Sequence, residues 1–429
     1  MRRWVAGIGL VLLLAAGVWL RLTYVHFFPL APDAIGGPPA SPAVLGPFGG
    51  DPPVTSVSDW QTRRAPILRE AFAREVYGPM PPVLPASVLA RAFMPDARPG
   101  KGAGLQQLTI GFGDAGDRGR VNVVLALPPP GVPVRALIVM QNFCGNEAAT
   151  GRRFPQVRSL TAPPTFCAGP MSVASHIILG RYPNGPPMKR VTGRGYAVAM
   201  VYAADLVPDD SVGAPPALRR LYGPGGETGG ALAAWAWLYA ELGGVLTREP
   251  ALMNTPVVAW GHSRNGKAAL LAGATYPSIA GVIAHQSGRG GGALTRGPVG
   301  ETVRQITDSY GYWFSPRFAT WAGREQDIPV DQHQLLALNA PRPVLIGAGN
   351  RDRWSDPSGT FRAVQGANPV YRLYGAPAFT QTELAEPDLG KPQAFFMRQG
   401  THGVTTRDWE TFLTFLDANF PTGRAPPPR

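Results

Sequence analysis

The sequence predicts an α/β protein whose core is a doubly wound, mostly parallel sheet with helices on both faces. One observation is that continuous apolar runs of strand length, such as Ala136–Gln141 and Gly195–Tyr202, alternate along the chain with helical patterns. A second is the unit at residues 257–271, where an apolar run leads into a turn at Ser263 and then into strong helix formers. In such sheets, functional sites lie at the carboxyl ends of the strands.

Composition narrows the class of protein further. The chain has 429 residues, of which 45% are hydrophobic and 16% are charged, which suits one large domain with insertions or two domains and argues against global disorder. The net charge of +12 is explained either by a generally basic, arginine-rich proteome, which is the favoured interpretation, or by attraction to anionic material such as acidic sugars or a membrane surface. The arginines are scattered rather than clustered in runs, so we expect no nucleic-acid partner.

The two cysteines, Cys144 and Cys167, are not spaced as metal ligands, and we expect neither a metal nor an organic cofactor. The sequence leaves open whether they form a disulfide, because that depends on the separation of their Cα atoms.

Residues 1–30 have the features of an export signal. Two arginines precede an apolar stretch at residues 4–20, and aromatic side chains suited to a membrane interface follow. The segment is interpreted as an uncleaved signal-anchor in the inner membrane, with a cleaved signal peptide as the alternative. Either interpretation places the bulk of the chain outside the cytoplasm, in the periplasm or secreted.

The rest of the chain divides by composition. Residues 31–55 are rich in proline, glycine and alanine and predict a linker; residues 56–420 predict the globular domain; and residues 421–429 predict a flexible tail. The domain is predicted to begin with an amphipathic helix from Trp60 to Tyr77, followed by strands within residues 88–139. The later predicted elements are strands at Gly195–Tyr202, Val257–Trp260, Ile279–His285 and Arg342–Gly347, and helices at Thr228–Leu246 and Thr405–Phe420.

The turn at Ser263 has the local order of a nucleophile elbow, in which a strained turn projects a serine hydroxyl above the sheet. The usual G-x-S-x-G pattern is incomplete, because Asn265 occupies the second glycine position and Gly266 follows one residue later. By itself this pattern does not separate a catalytic elbow from an ordinary strand-to-helix turn.

A serine nucleophile needs a base and an orienting carboxylate. Of the six histidines, His402 directly precedes the last predicted helix, as the order Ser…acid…His requires, whereas His333 is better explained as a core residue. Asp352 and Asp356 both follow the preceding strand. Asp352 is favoured because it lies closer to the strand end, and Asp356, followed by proline, is more typical of a turn or helix cap.

The stretch Gly261–Lys267 resembles the G-[CH]-S-R-x-G-K signature of the glucuronoyl esterases, carbohydrate esterase family 15, which also lacks the glycine two residues after the serine. Other stretches resemble the family in the same order and together cover about residues 56–420. They are Trp60–Gly78, Asn142–Asn146, Ser287–Gly291, Gly300–Val303, Trp313–Phe314, Pro329–His333 and Ala340–Pro343.

The resemblance implies an α/β-hydrolase fold and assigns roles to matching positions. It implies Ser263 as nucleophile, His402 as base, Arg264 as an oxyanion donor, Lys267 and Glu301 as hydrogen-bond partners of the uronate hydroxyls, and Trp354 beside the sugar. One position departs from the family: Gln286 stands where many members carry the glutamate of the triad. Bacterial members can use an aspartate after the later strand, which is Asp352 here.

These observations together predict a serine carboxylic-ester hydrolase that cleaves esters of 4-O-methyl-glucuronic acid in plant cell-wall glucuronoxylan through an acyl-enzyme. The expected partner is a uronic-acid ester or polysaccharide, and the protein is expected to act as a monomer. A deacetylase of acetylxylan or another polysaccharide is the alternative enzyme. A weakly active carbohydrate-binding protein is a third interpretation, prompted by Gln286 and the predicted anchor.

Overall fold

The structure, a computed structural model, describes residues 7, 9–17, 41–94, 105–150, 154, 156–167, 180–224, 229–382 and 387–422. The strands in these residues form one mixed sheet. They are β1 (Ala86–Phe93), β2 (Leu105–Phe112), β3 (Gly119–Ala126), β4 (Ala136–Asn142), β5 (Tyr196–Tyr202), β6 (Val257–His262), β7 (Ile279–His285), β8 (Val344–Gly349) and β9 (Gln393–Arg398).

The strand order is β1-β2-β3-β5-β4-β6-β7-β8-β9. Neighbours from β1 to β5 pair antiparallel, and all neighbours from β5 to β9 pair parallel. Every residue of β4, β5 and β6 is buried, because helices cover both faces of the parallel part. This double coverage explains why these strands are continuously apolar in sequence.

The helices lie in two layers, one on each face of the sheet. They are α1 (consecutive helical parts Val57–Asp59, Trp60–Arg64, Ala65–Phe72 and Ala73–Tyr77), α2 (Gly145–Thr150), α3 (Met188–Gly193), α4 (Ala214–Tyr222), α5 (Ala231–Leu246), α6 (Arg264–Thr275), α7 (Val303–Tyr310), α8 (Pro316–Ala319), α9 (Gln332–Ala337), α10 (Pro357–Leu373) and α11 (Thr406–Asn419). Side chains of α5, α6 and α10 belong to the larger hydrophobic core, and those of α11 belong to the second. The predicted doubly wound α/β fold is confirmed.

Part of the segment predicted as a linker packs against the domain. Val44 and Val54 are buried in the larger core. The buried Arg64 side chain donates to the Val44 carbonyl at 3.1 Å and to Asp51 at 2.8 Å. His333, as predicted, is a core histidine, and its Nε2 lies 2.7 Å from the Pro42 carbonyl oxygen. Residues 41–55 therefore pack against the domain, whereas the sequence predicted a linker without a core of its own. Their contacts bury both apolar and charged groups.

Most of the predicted signal segment and of the predicted tail lies outside the described residues. Within the described ranges, no helix combines the length and the hydropathy that crossing a membrane requires.

Candidate active site

Ser263 stands on the turn between β6 and α6, and its backbone is strained. Its φ of 55° and ψ of −127° lie in a region that residues other than glycine rarely adopt. The Ser263 N–H donates to the carbonyl of His285 at 2.9 Å, which fixes the turn against β7. The side chain does not cap α6. The hydroxyl is therefore left for other chemistry, as a nucleophile elbow requires.

The glycines of this turn are explained by close approach of strand and helix. A Cβ at Gly261 would lie 2.0 Å from the carbonyl oxygen of Asn265, and a Cβ at Gly266 would lie 3.0 Å from the Gly261 carbonyl oxygen. The Asn265 side chain turns away and donates to the Gln141 carbonyl at 3.1 Å. Glycine is thus needed one residue later than in the usual pattern.

The structure brings Asp352, not Asp356, to His402. Asp352 Oδ2 lies 2.7 Å from His402 Nδ1, and Asp352 is 1% exposed. Ser355 Oγ lies 3.3 Å from the same nitrogen. Asp356 instead caps α10, where its Oδ1 accepts the Gly359 N–H at 2.8 Å.

Burial alone would raise the pKa of Asp352, but the charge of His402 and hydrogen bonds from His402 and Ser355 outweigh it and hold that pKa below its usual value. Asp352 is therefore an anion at neutral pH, suited to orient an imidazole and to stabilise imidazolium.

The loop between β9 and α11 places His402 next to the elbow. Its ring centroid lies 4.6 Å from that of His262, the residue directly before Ser263. His262 is 2% exposed, and burial first, then the neighbouring histidines and Arg398, depress its pKa far below the usual value. A neutral His262 is a packing neighbour for His402 rather than a competing base.

Arg264, at the first position of α6, is held on two sides. Its guanidinium pairs with Asp209 Oδ2 at 2.8 Å and stands 4.5 Å over the ring of Phe143. Asp209 Oδ1 also accepts hydrogen bonds from the Tyr312 hydroxyl at 2.9 Å and from Trp313 Nε1 at 2.7 Å. Sequence reasoning missed Asp209, because a single aspartate in a long loop after β5 carries no motif.

Lys267 lies one helical turn into α6, buried beneath the elbow. Its Nζ donates to the carbonyls of Ser287 at 2.6 Å and Arg289 at 2.7 Å. Burial lowers its pKa to about 8, although Glu301 and Asp352 act to raise it. An ammonium carries three N–H donors, so one remains beyond the two carbonyls.

Glu301 and Trp354 are joined to each other beside this lysine. The Glu301 N–H donates to the Trp354 carbonyl at 3.0 Å, and the Trp354 side chain donates to the Glu301 carboxylate. Burial raises the pKa of Glu301, against the attraction of Lys267 and Arg289. Trp354 is 50% exposed, so it offers an open indole ring next to two buried polar groups.

The two cysteines form a disulfide, Cys144–Cys167, with Cα atoms 5.4 Å apart. It ties the loop after β4, which carries Phe143, to the segment ending at residue 167. Within the described ranges, no three His, Cys, Asp or Glu side chains are grouped as a metal ion would need.

The chain is similar to several known carbohydrate esterases. Residues 208–375 match the model of a family described as glucuronyl esterase, fungi. Carbohydrate esterase MZ0003, from an unknown prokaryotic organism, is 30% identical over 391 residues, which cover 86% of this chain and 87% of that protein. The 4-O-methyl-glucuronoyl methylesterase 1 of Wolfiporia cocos is 34% identical over 168 residues, covering 37% of this chain and 41% of that protein.

Among solved structures, a promiscuous CE15 esterase from a marine bacterial metagenome matches with a TM-score of 0.75 at 28% identity, covering 89% of this chain and 98% of that one. The glucuronoyl esterase from Solibacter usitatus matches with a TM-score of 0.74 at 28% identity, covering 89% and 99%.

With its elbow at the carboxyl end of β6, the molecule is a carboxylic-ester hydrolase of the α/β-hydrolase fold. The likeness to carbohydrate esterases extends over most of the chain and is not confined to the elbow. The chain belongs to the glucuronoyl esterases, carbohydrate esterase family 15, as its signature residues predicted.

Proposed function

We propose that this protein hydrolyses esters of glucuronic acid and its 4-O-methyl derivative, as found in plant cell-wall glucuronoxylan, with Ser263 as nucleophile. The observation that carries the proposal is the pairing of buried Asp352 with the partly exposed His402, 2.7 Å apart, beside the strained Ser263 turn. Relatives named 4-O-methyl-glucuronoyl methylesterases support the substrate class.

In the proposed mechanism, Ser263 Oγ attacks the ester carbonyl carbon while His402 accepts the hydroxyl proton. The C–O bond to the alcohol then breaks, and His402 returns the proton to the departing oxygen. Water, deprotonated by His402, attacks the glucuronoyl-enzyme; the bond from the acyl carbon to Ser263 Oγ breaks, His402 returns the proton to that oxygen, and the acid is released. Asp352 stabilises the imidazolium in both halves of the reaction.

Charge that develops on the carbonyl oxygen is stabilised by two kinds of donor. One is the backbone N–H groups at the start of α6, and the other is the Arg264 guanidinium. Asp209 and Phe143 hold that guanidinium in place before substrate arrives, so little reorganisation is needed during the reaction.

The acyl side of the substrate is assigned to Lys267, Glu301 and Trp354. The remaining Lys267 N–H and the Glu301 carboxylate offer a donor and an acceptor to neighbouring sugar hydroxyls, and the exposed indole of Trp354 suits the apolar face of a sugar ring. These groups surround the acyl part, which favours a uronate ester over an acetyl ester, whose sugar is on the alcohol side.

The proposal includes export from the cytoplasm and action as a monomer. Export is supported by the apolar residues 4–20 behind two arginines and by the Cys144–Cys167 disulfide, since disulfides persist in oxidising compartments. Anchoring to the inner membrane by residues 4–20 is part of the same proposal.

The test compares the wild type with Ser263→Ala and His402→Ala on a methyl ester of glucuronic acid and on an acetylated xylo-oligosaccharide. We expect turnover of the uronate ester by the wild type and its loss in both variants. Hydrolysis of the acetyl ester alone would favour the deacetylase, an alternative supported by a structural neighbour described as promiscuous. Equally poor turnover by wild type and variants would favour a binding protein.

A further inference from the structure

Gln286 lies directly after β7, and its side chain forms hydrogen bonds with the loop that carries His402. Its Oε1 accepts the Gly403 N–H at 2.7 Å, and its Nε2 donates to the Thr401 carbonyl at 3.0 Å. The residues on either side of His402 are thus bound to opposite ends of one side-chain amide. No other residue type of this length can both donate and accept at neutral pH in this way.

The surroundings of Gln286 hold its amide in place. The residue is 3% exposed and has a positive φ of 48°, a conformation that only a well-determined environment maintains. Its N–H donates to the Gly347 carbonyl at 2.7 Å. A Cβ at Gly349 would lie 2.4 Å from Gln286 Nε2, so the glycine that ends β8 makes room for the amide.

Arg398 holds the same two loop residues through their carbonyl oxygens. Arg398 donates to the Thr401 carbonyl at 2.9 Å and to the Gly403 carbonyl at 2.7 Å, and pairs with Asp408. The Gly403 N–H has Gln286 as its acceptor, so losing the amide would leave a buried donor beside His402 without that partner.

We propose that Gln286 is a positioning residue that sets the backbone of His402 through its amide, and that a carboxylate at this position cannot replace it. The inference rests on the proposed function, in which His402 is the base. A carboxylate would still accept the Gly403 N–H, but its second oxygen would face the Thr401 carbonyl oxygen, and two acceptors repel. A protonated carboxyl would supply the missing donor.

The introduced carboxyl would titrate among several groups. The titratable and charged side chains around this position are His262 on β6, Lys267 on α6, His285 on β7, Asp352 after β8, Arg398 on β9 and His402 itself. Arg398 is already engaged by Asp408, and Asp352 is an anion. Burial and the Asp352 charge therefore raise the pKa of the introduced carboxyl, so that its protonated form becomes populated as the pH falls.

The experiment measures kcat and KM of wild type, Gln286→Glu and Gln286→Met on a methyl glucuronate ester from pH 5 to pH 8.5, with thermal unfolding as a check on folding. At pH 8 we expect both variants to lose at least about 10-fold in kcat with KM within about 2-fold, because the base is displaced rather than the substrate site. The kcat of Gln286→Glu relative to wild type should rise towards pH 5, and that of Gln286→Met should not.

If the kcat of Gln286→Glu equals that of wild type at pH 8, the inference is overturned. It is also overturned if the ratio of the two kcat values does not change with pH. Because this ratio compares only Gln286→Glu with wild type, it decides the question even if Gln286→Met fails to fold. The His402→Ala variant distinguishes failure of the proposed function from failure of the proposed role of Gln286. If it retains turnover, the proposed function fails; if it is inactive while Gln286→Glu matches wild type, only the role of Gln286 fails.

Discussion

Replacing Asp352 by asparagine tests the proposed triad while changing little else. The substitution keeps the shape of a side chain that is 1% exposed, and it removes the negative charge 2.7 Å from His402 Nδ1. An asparagine amide can turn its NH₂ towards that nitrogen, which would favour the wrong imidazole tautomer and withhold the charge that stabilises imidazolium.

The size of the effect follows from this geometry. Loss of the orienting carboxylate in a serine–histidine–aspartate triad of another fold lowers kcat by about 10⁴. At 1.36 kcal/mol per factor of ten, this is about 5 kcal/mol of transition-state stabilisation. Asp352 is similarly buried and hydrogen-bonded, and its pKa is held below the usual value, so we expect a fall of about 10³ to 10⁴ in kcat.

The matched control is Asp356→Asn, four residues away. Asp356 caps α10 through the Gly359 N–H, and asparagine caps helices about as well as aspartate, so kcat should stay within about 3-fold. Steady-state hydrolysis of a methyl glucuronate ester at pH 7.5 measures both variants. If Asp356→Asn is the more damaging change, or Asp352→Asn keeps more than about a tenth of the wild-type kcat, the assignment of Asp352 is wrong.

Two further predictions concern the surroundings of the elbow. The Lys267 ammonium, with a pKa of about 8, loses its charge as the pH rises through that value, so KM for uronate esters should increase above about pH 8. In Lys267→Met, KM should be raised about 10-fold or more at neutral pH and should lose this dependence; an unchanged KM would exclude the sugar contact. Replacing Cys144 and Cys167 by serine opens a disulfide between residues 23 apart in sequence and should lower the free energy of unfolding by about 3 kcal/mol in urea titrations. The same variant should lose kcat, because the loop with Phe143 supports Arg264; full activity would show that the support is independent of the disulfide.

Much of the parallel sheet could be predicted because strands that are buried on both faces have continuously apolar sequences. β4, β5, β6 and β7 match predicted strands closely, and α11 spans Thr406–Asn419 where Thr405–Phe420 was expected. β9 was missed, since Gln393–Arg398 carries polar residues at both ends and so has only a brief apolar run between them. α10 was missed because its sequence contains two glycines and an internal proline, Pro369, which weaken helix propensity.

The candidate site was predictable where a residue type is rare or belongs to a motif. His402 could be found by elimination, and Ser263 through its turn. Asp209 and the role of Gln286 could not, because both act through contacts between segments far apart in sequence: Asp209 with Arg264, and Gln286 with residues 115 and 117 positions later. Whether Cys144 pairs with Cys167 could not be predicted either, because the pairing depends on a contact between two separate segments.

The proposed catalytic groups come from the carboxyl ends of strands that are consecutive both in the sheet and in the chain: β6, β8 and β9, with β7 between them. The base is delivered by the last of these strands, and only α11 and a short extension follow it among the described residues. During synthesis, Ser263 is therefore added about 140 residues before His402, which corresponds to roughly ten seconds at ordinary elongation rates. With His402 as the proposed base, ester cleavage requires that the carboxyl-terminal part of the chain has first docked onto the sheet.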